Sequence, residues 1–250
     1  MNKGQILLLQ NHPFSLVSPE TVLKVIQNPS PTESEILATA AAPAGSSSDE
    51  RGKRGSRAAL LQEAVDNLTT IPDDLLFAPG TVPVLTIRDP RLAVPSAHRV
   101  LGAMGIPHGS GRPNFLISTS TLWVRGAYET YKARGIEPVV VDADDLMTGG
   151  PEFARSLCSR LGLDPEMACL SWDVPTAEER AGMHPAYYAS QRFLIESSGV
   201  DAGRAAGNRN LEAEVEGWPA EFGEDVAMVR EMVELAMPHY RYLHERRFKM

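Results

Sequence analysis

The chain has 250 residues, 43% of them hydrophobic and 22% charged, which fits one soluble domain with a sizeable core. Its formal net charge of −8 excludes nucleic acid as the main partner, because phosphate backbones are gripped by clustered Lys and Arg and no such cluster dominates. Two cysteines, Cys158 and Cys169, are too few for a disulfide framework and lack metal-ligand spacing, so both read as buried thiols of a cytoplasmic protein. After Lys3 come four apolar residues, Ile6 to Leu9, short of the roughly 7–15 of a signal-peptide core. No other run approaches the ~18 that cross a bilayer, so no membrane partner is expected.

Gln5–Leu9 predicts a first buried strand, ending at Gln10-Asn11-His12-Pro13. His12 has the near-neutral pKa of a proton acceptor, and it reads equally as a loop residue that turns the chain before Pro13. Ser18 to Gln27 predicts a short helix with Ser18 as cap and Pro19 at its first position. Residues 28–56 combine Pro-Ser-Pro, an alanine run, serines and a balanced charge cluster. They hold too little bulky apolar surface to fold, and read as a disordered insert within one domain spanning 1–250.

Helical spacing returns from Ala58 to Leu68, and a further short helix is expected with its cap near Asp73. Val82–Ile87, bounded by Pro79-Gly80 and Asp89-Pro90, predicts a strand buried on both faces. Asp89 suits the cap of the next helix and Pro90 its first position. Arg88 then stands at the carboxyl end of a parallel strand, where open α/β sheets place their ligand crevice, and its planar fork suits a phosphate. The plainer reading pairs Arg88 with Asp89 or another carboxylate at a strand end, and has Ser96 merely cap or turn the chain. Ser96 follows eight positions later on the helix; Pro95 beside it removes a hydrogen bond, at about 3 kcal/mol, so the helix either kinks there or begins later.

Gly102–Pro113 reads as a loop whose Gly109-Ser110-Gly111 triplet is either an anion nest or a simple turn. Thr121–Arg134 predicts a helix closed by Gly135. Pro138–Val141 predicts a third strand, parallel to that of Arg88 across a helical crossover. The Asp142-Ala143-Asp144-Asp145 run that follows reads as a helix cap rather than a metal site, since no further ligand stands at useful spacing. The last third is helical, with an apolar seam from Val226 to Leu243. The fold class is therefore α/β, a small parallel sheet flanked by helices.

Several of these segments resemble the sulfotransferase family. Arg88-Asp89-Pro90-Arg91 with Ser96 is similar to the segment that holds the 3′-phosphate of the sulfate donor, 3′-phosphoadenosine-5′-phosphosulfate (PAPS). His12 matches the family's catalytic base, while Gln10 stands where the family has a lysine. Asn67-Leu68-Thr69-Thr70-Ile71-Pro72-Asp73-Asp74-Leu75-Leu76 resembles a fungal branch, with Leu68 replacing a proline. Gly162-Leu163-Asp164-Pro165 and Trp172-Asp173 extend the likeness, as do Ser197-Ser198-Gly199 and the segment 204–210. There Arg204 and Arg209 resemble the basic residues that reach the 3′-phosphate, or are solvated loop arginines.

The resemblance implies a truncated sulfotransferase domain of P-loop type. It implies transfer of a sulfuryl group from PAPS to a hydroxyl of a small molecule, in specialised metabolism. The family's first strand and its 5′-phosphosulfate loop have no counterpart in positions 1–250, and an exposed sheet edge, covered by a second copy or another partner, is expected there. That absence, with Gln10, gives the alternative its basis: a non-catalytic remnant that binds or scaffolds within a biosynthetic pathway.

Overall fold

The computed structural model describes residues 71–105 and 112–250. The strand expected at Gln5–Leu9, His12, the helix at Ser18–Gln27, the insert at 28–56, the helix at Ala58–Leu68 and the Gly109-Ser110-Gly111 triplet lie outside the described residues. The chain divides into two compact units, residues 1–81 with 126–135, and residues 82–125 with 136–250.

The second unit is built on a two-stranded parallel sheet of β1 (Val84–Ile87) and β2 (Val139–Asp142), in the register Val84↔Val139 to Ile87↔Asp142. β-Branched residues dominate both strands, as a pleated and covered surface favours. Partners in register share a face, so Leu85, Ile87, Val140 and Asp142 line one side and Val84, Thr86, Val139 and Val141 the other. On the second side Phe153 and Phe248 close over Val139 and Val141, while Val84 is 42% exposed and Thr86 is exposed too. This corrects the expectation that β1 is buried on both faces. The cover on that side is centred on β2, so β1 alternates between exposed and buried.

Between the strands run α2 (Pro90–Ala103), α3 (Arg112–Thr119) and α4 (Leu122–Ala133). α2 begins at Pro90 and continues through Pro95, which is fully buried, so the helix does not start late. With Pro95 in the second turn, the missing N–H costs one hydrogen bond near the amino end rather than the centre. α4 ends at Gly135, whose φ of 73° is left-handed, as its sequence position implies.

After β2 comes α5 (Ala143–Arg160), interrupted at Gly150. There φ is 56° and ψ −149°, a conformation open to glycine, and Pro151 follows without an N–H to give. α6 (Ala177–Ala181) and α7 (Pro185–Ile195) lead to two short 3₁₀ turns, Ala202–Arg204 and Ala206–Asn208. α8 (Leu211–Phe222) and α9 (Val226–Glu245) complete the chain.

α9 packs on α2, β1 and β2 through Val229, Met232, Val233, Ala236, Tyr240 and Leu243, largely the seam read from the sequence. Each of the Val, Met and Leu side chains among them contributes about 1.5–3 kcal/mol by leaving water. Beyond α9, Phe248 N–H donates to Val140 O at 2.7 Å, so the tail satisfies the edge of β2 that faces away from β1.

In the first unit, α1 (Asp73–Leu76) follows Pro72, which takes the cap position expected nearer Asp73 and offers no side-chain bond. Phe77 meets the Tyr131 ring edge-on at 5.6 Å; Arg134 lies 4.6 Å above Phe77 and bonds Asp73 at 2.9 Å.

Cys158 is half-buried and Cys169 exposed, its Sγ donating to Ser171 O, which corrects the reading of both as buried thiols. Among the described residues no helix is long and apolar enough to cross a membrane, and no group of three or more His, Cys, Asp or Glu is placed to hold a metal ion.

Candidate functional site

Because β1 and β2 are parallel, their carboxyl ends open on the same edge of the sheet, and each delivers charged residues there. At the end of β1, Asp89 caps α2 by accepting Arg91 N–H at 2.8 Å. The Arg91 guanidinium closes on the same carboxylate at 3.0 and 2.6 Å, which raises the Arg91 pKa. Asp89 is thus bonded to Arg91 and not to Arg88, against the plainer reading of Arg88.

At the end of β2, Asp142 is 1% exposed and caps α5 by accepting Asp144 N–H at 2.9 Å. Tyr240 O–H donates to its Oδ2 at 2.9 Å, and His244 Nε2 stands 3.7 Å from the same oxygen. Burial, then the Asp142 charge, pushes the Tyr240 phenol far above its usual range. Asp145 pairs with Arg247 at 2.6 Å. The capping reading of this acidic run holds for Asp142.

A loop from the last third is pinned to both corners at once. Arg88 Nη2 donates to Arg204 O at 2.9 Å, Ala206 N–H donates to Asp144 Oδ2 at 3.0 Å, and Ala205 between them is 0% exposed. The Arg204 guanidinium stacks 3.9 Å above the Phe193 ring of α7, a ring 58% exposed. Arg209 is clamped by Glu214 at 2.5 and 2.7 Å.

Two polar atoms at this edge are left over. Arg88 Nε and Asp144 Oδ1 are both buried with no hydrogen-bond partner among the described residues. Burial holds Arg88 below its ordinary range, with Arg204 and Arg209 pushing the same way and Asp144 opposing. Burial likewise raises Asp144, and its bond from Ala206 N–H and the charge of Arg88 offset only part of that. Among the described residues, neither Arg88 nor Arg204 is ion-paired with a carboxylate. Such a corner, with two unpaired guanidinium groups and one unused buried donor, suits an anion.

Of the residues singled out in the sequence, Arg88 and Arg204 meet here, and Arg209 acts on Arg88 through its charge while bonded to Glu214. Ser96 is half-buried seven residues past the cap of α2, about 10 Å along the helix at 1.5 Å per residue, and no hydrogen bond joins it to Arg88. His12 lies outside the described residues. Sequence reading gave Asp144 only a capping role and passed over Phe193. The strand-end rule that selected Arg88 selects Asp144 equally, two residues past β2; nothing in the spacing of Phe193 marks it.

Over 196 residues, 73% of this chain, the sequence is 31% identical to Sulfotransferase ppzF of Metarhizium majus (strain ARSEF 297). Over the same length it is 30% identical to Sulfotransferase ppzF of Metarhizium rileyi (strain RCEF 4871). The chain spans a little over half of these curated relatives, 57% of each. No family model and no solved structure matches it.

Proposed function

The chain is related to fungal sulfotransferases, and from that premise we propose that it moves a sulfuryl group from PAPS to a hydroxyl of a small molecule, within a P-loop-type sulfotransferase domain. The observation that supports this most is Arg88: a guanidinium at the carboxyl end of a parallel strand, its Nε buried and unused, with Arg204 beside it. That donor set fits a phosphate. PAPS supplies the activated sulfuryl group, and its 3′-phosphate is the anion assigned to this corner.

In this reading Arg88 binds the 3′-phosphate and Arg204 adds a second guanidinium, while the pinned backbone of 204–206 keeps both in place before the ligand arrives. Arg209 joins them on leaving Glu214, and Ser96 contributes from α2. His12 takes the proton from the acceptor hydroxyl as its oxygen attacks sulfur and the sulfur–oxygen bond to the donor's 5′-phosphate breaks, so that adenosine 3′,5′-bisphosphate leaves. The acceptor is assigned to specialised metabolism, and the protein to the cytoplasm, on the same terms. One sequence feature favours a second reading: Gln10, a neutral side chain where the resemblance expects a lysine, suits a protein that binds the nucleotide without turning it over.

Two measurements on the 250-residue chain separate these readings. Isothermal titration with adenosine 3′,5′-bisphosphate should show binding that weakens in Arg88→Ala; no heat from the intact protein refutes both. Transfer of labelled sulfate that disappears in His12→Ala supports the enzyme, and binding without transfer supports the second reading.

A further inference from the structure

The two unused atoms at the strand ends have opposite hydrogen-bonding character. Arg88 Nε is a donor and Asp144 Oδ1 an acceptor, and each residue lies in the other's electric field. Yet among the described residues neither atom has a partner. Buried polar atoms that stay unpaired are uncommon and costly, so these two mark where the polar groups of a ligand would fit.

The neighbouring carboxylates are already committed. Asp89 is closed by Arg91, Asp142 by Tyr240 and the Asp144 N–H, and Asp145 by Arg247. Asp144 itself spends Oδ2 on Ala206 N–H and keeps Oδ1. Of these four acidic side chains, Asp144 alone carries an oxygen that is buried and unpartnered.

A ligand that satisfies both atoms must present an acceptor to Arg88 and a donor to Asp144. A phosphate with a hydroxyl on the adjacent carbon does this. The phosphate oxygen accepts from Arg88 Nε, and the hydroxyl donates to Asp144 Oδ1. Resting on the functional reading above, which places a ribose 3′-phosphate at Arg88, we propose that Asp144 recognises the 2′-hydroxyl next to that phosphate. Asp144 is then the residue that selects a ribonucleotide over a 2′-deoxyribonucleotide at this site. The bond from Ala206 N–H occupies Oδ2, so of the two carboxylate oxygens Oδ1 is the one left for a ligand.

The test is a pair of titrations on the full chain, with adenosine 3′,5′-bisphosphate and with its 2′-deoxy analogue. The hydroxyl should be worth about 10- to 100-fold in affinity, the range one hydrogen bond to a charged acceptor sustains. The 2′-O-methyl analogue, which accepts but cannot donate, should bind as weakly as the deoxy compound. In Asp144→Ala the ribose preference should fall below about threefold, with the remaining affinity still dependent on Arg88. Should that variant not fold, Asp144→Asn keeps the acceptor for Ala206 N–H and removes the charge, and the preference should drop at least severalfold. Equal binding of the ribose and deoxy ligands by the wild-type protein overturns the proposal while leaving the phosphate reading intact. A preference that persists in Asp144→Ala overturns it as well, because another group then reads the hydroxyl. Binding of neither ligand removes the phosphate reading and this inference together.

Discussion

Replacing Tyr240 by Phe removes one oxygen from a buried contact and little else. The Tyr240 hydroxyl donates at 2.9 Å to Asp142 Oδ2, and the two residues are 8% and 1% exposed. The remaining ring keeps its packing beneath the sheet. Asp142 then retains the Asp144 N–H on Oδ1, while Oδ2 is left with His244 at 3.7 Å. A hydrogen bond to a charged, buried acceptor is worth about 1.5–3 kcal/mol, and no water replaces it readily at a residue this enclosed. For a chain of this size each 1 kcal/mol moves Tm by about 2–4 °C, so Tyr240→Phe should lower it by about 3–12 °C. Urea unfolding should give the same loss at an unchanged slope. Adding Asp142→Ala should cost less than the sum of the single variants, because both remove the same contact. A Tm within 1 °C of wild type would show that hydroxyl and carboxylate are not bonded, and that the tie between α9 and the end of β2 is misread.

Burial holds His239 down at about 4, below its ordinary 6.5, and its Nδ1 is buried without a partner. Between those values the unfolded chain takes a proton that the folded one refuses, so stability should fall as pH drops from 6.5 toward 4. The loss is at most about 3 kcal/mol and is reduced by the partial exposure of the ring; His239→Gln should flatten the profile. Asp144 has the opposite linkage. Its folded pKa is raised, so the folded chain releases this proton later, and stability should decline as pH climbs through and above the ordinary carboxylate range. Asp144→Asn, followed by thermal unfolding across that range, should remove this slope and leave the His239 slope in place. Glu214→Gln releases Arg209 from its clamp and should tighten adenosine 3′,5′-bisphosphate binding about three- to tenfold, a change of about 1 kcal/mol; weaker binding would place Arg209 outside the site.

What could be read from the sequence was local. Val84–Ile87 and Val139–Val141 announce strands by β-branching between turn residues, and Asp89-Pro90 and Gly135 mark helix ends through dihedral and capping preferences that need no tertiary context. Arg88 was found the same way, since the end of a parallel strand is a position as well as a residue type. The exposed face of β1 was not legible, because it depends on α5 and Phe248 covering β2 alone. Nor was the burial of Ala205, an unremarkable alanine until Arg88 and Asp144 hold the backbone on either side of it. Asp144 was visible as an acid at a helix start; its unused oxygen required knowing that Ala206, 62 residues away, occupies the other one. Ser96 shows the converse, a residue whose spacing fits a motif while the helix carries it two turns from the arginine.

The central claim is that the Arg88 corner binds the 3′-phosphate of an adenine nucleotide, and a titration series tests it most directly. Adenosine 3′,5′-bisphosphate and adenosine 5′-monophosphate differ by that one phosphate and should be compared on the wild-type chain and on Arg88→Ala. The account predicts that wild type binds the bisphosphate more tightly by about 10- to 100-fold, the strength of charge-assisted bonds to one phosphate. It predicts that Arg88→Ala, still folded by circular dichroism, binds both nucleotides with the weaker affinity. Equal affinity of wild type for the two nucleotides, or an undiminished preference in Arg88→Ala, would contradict it.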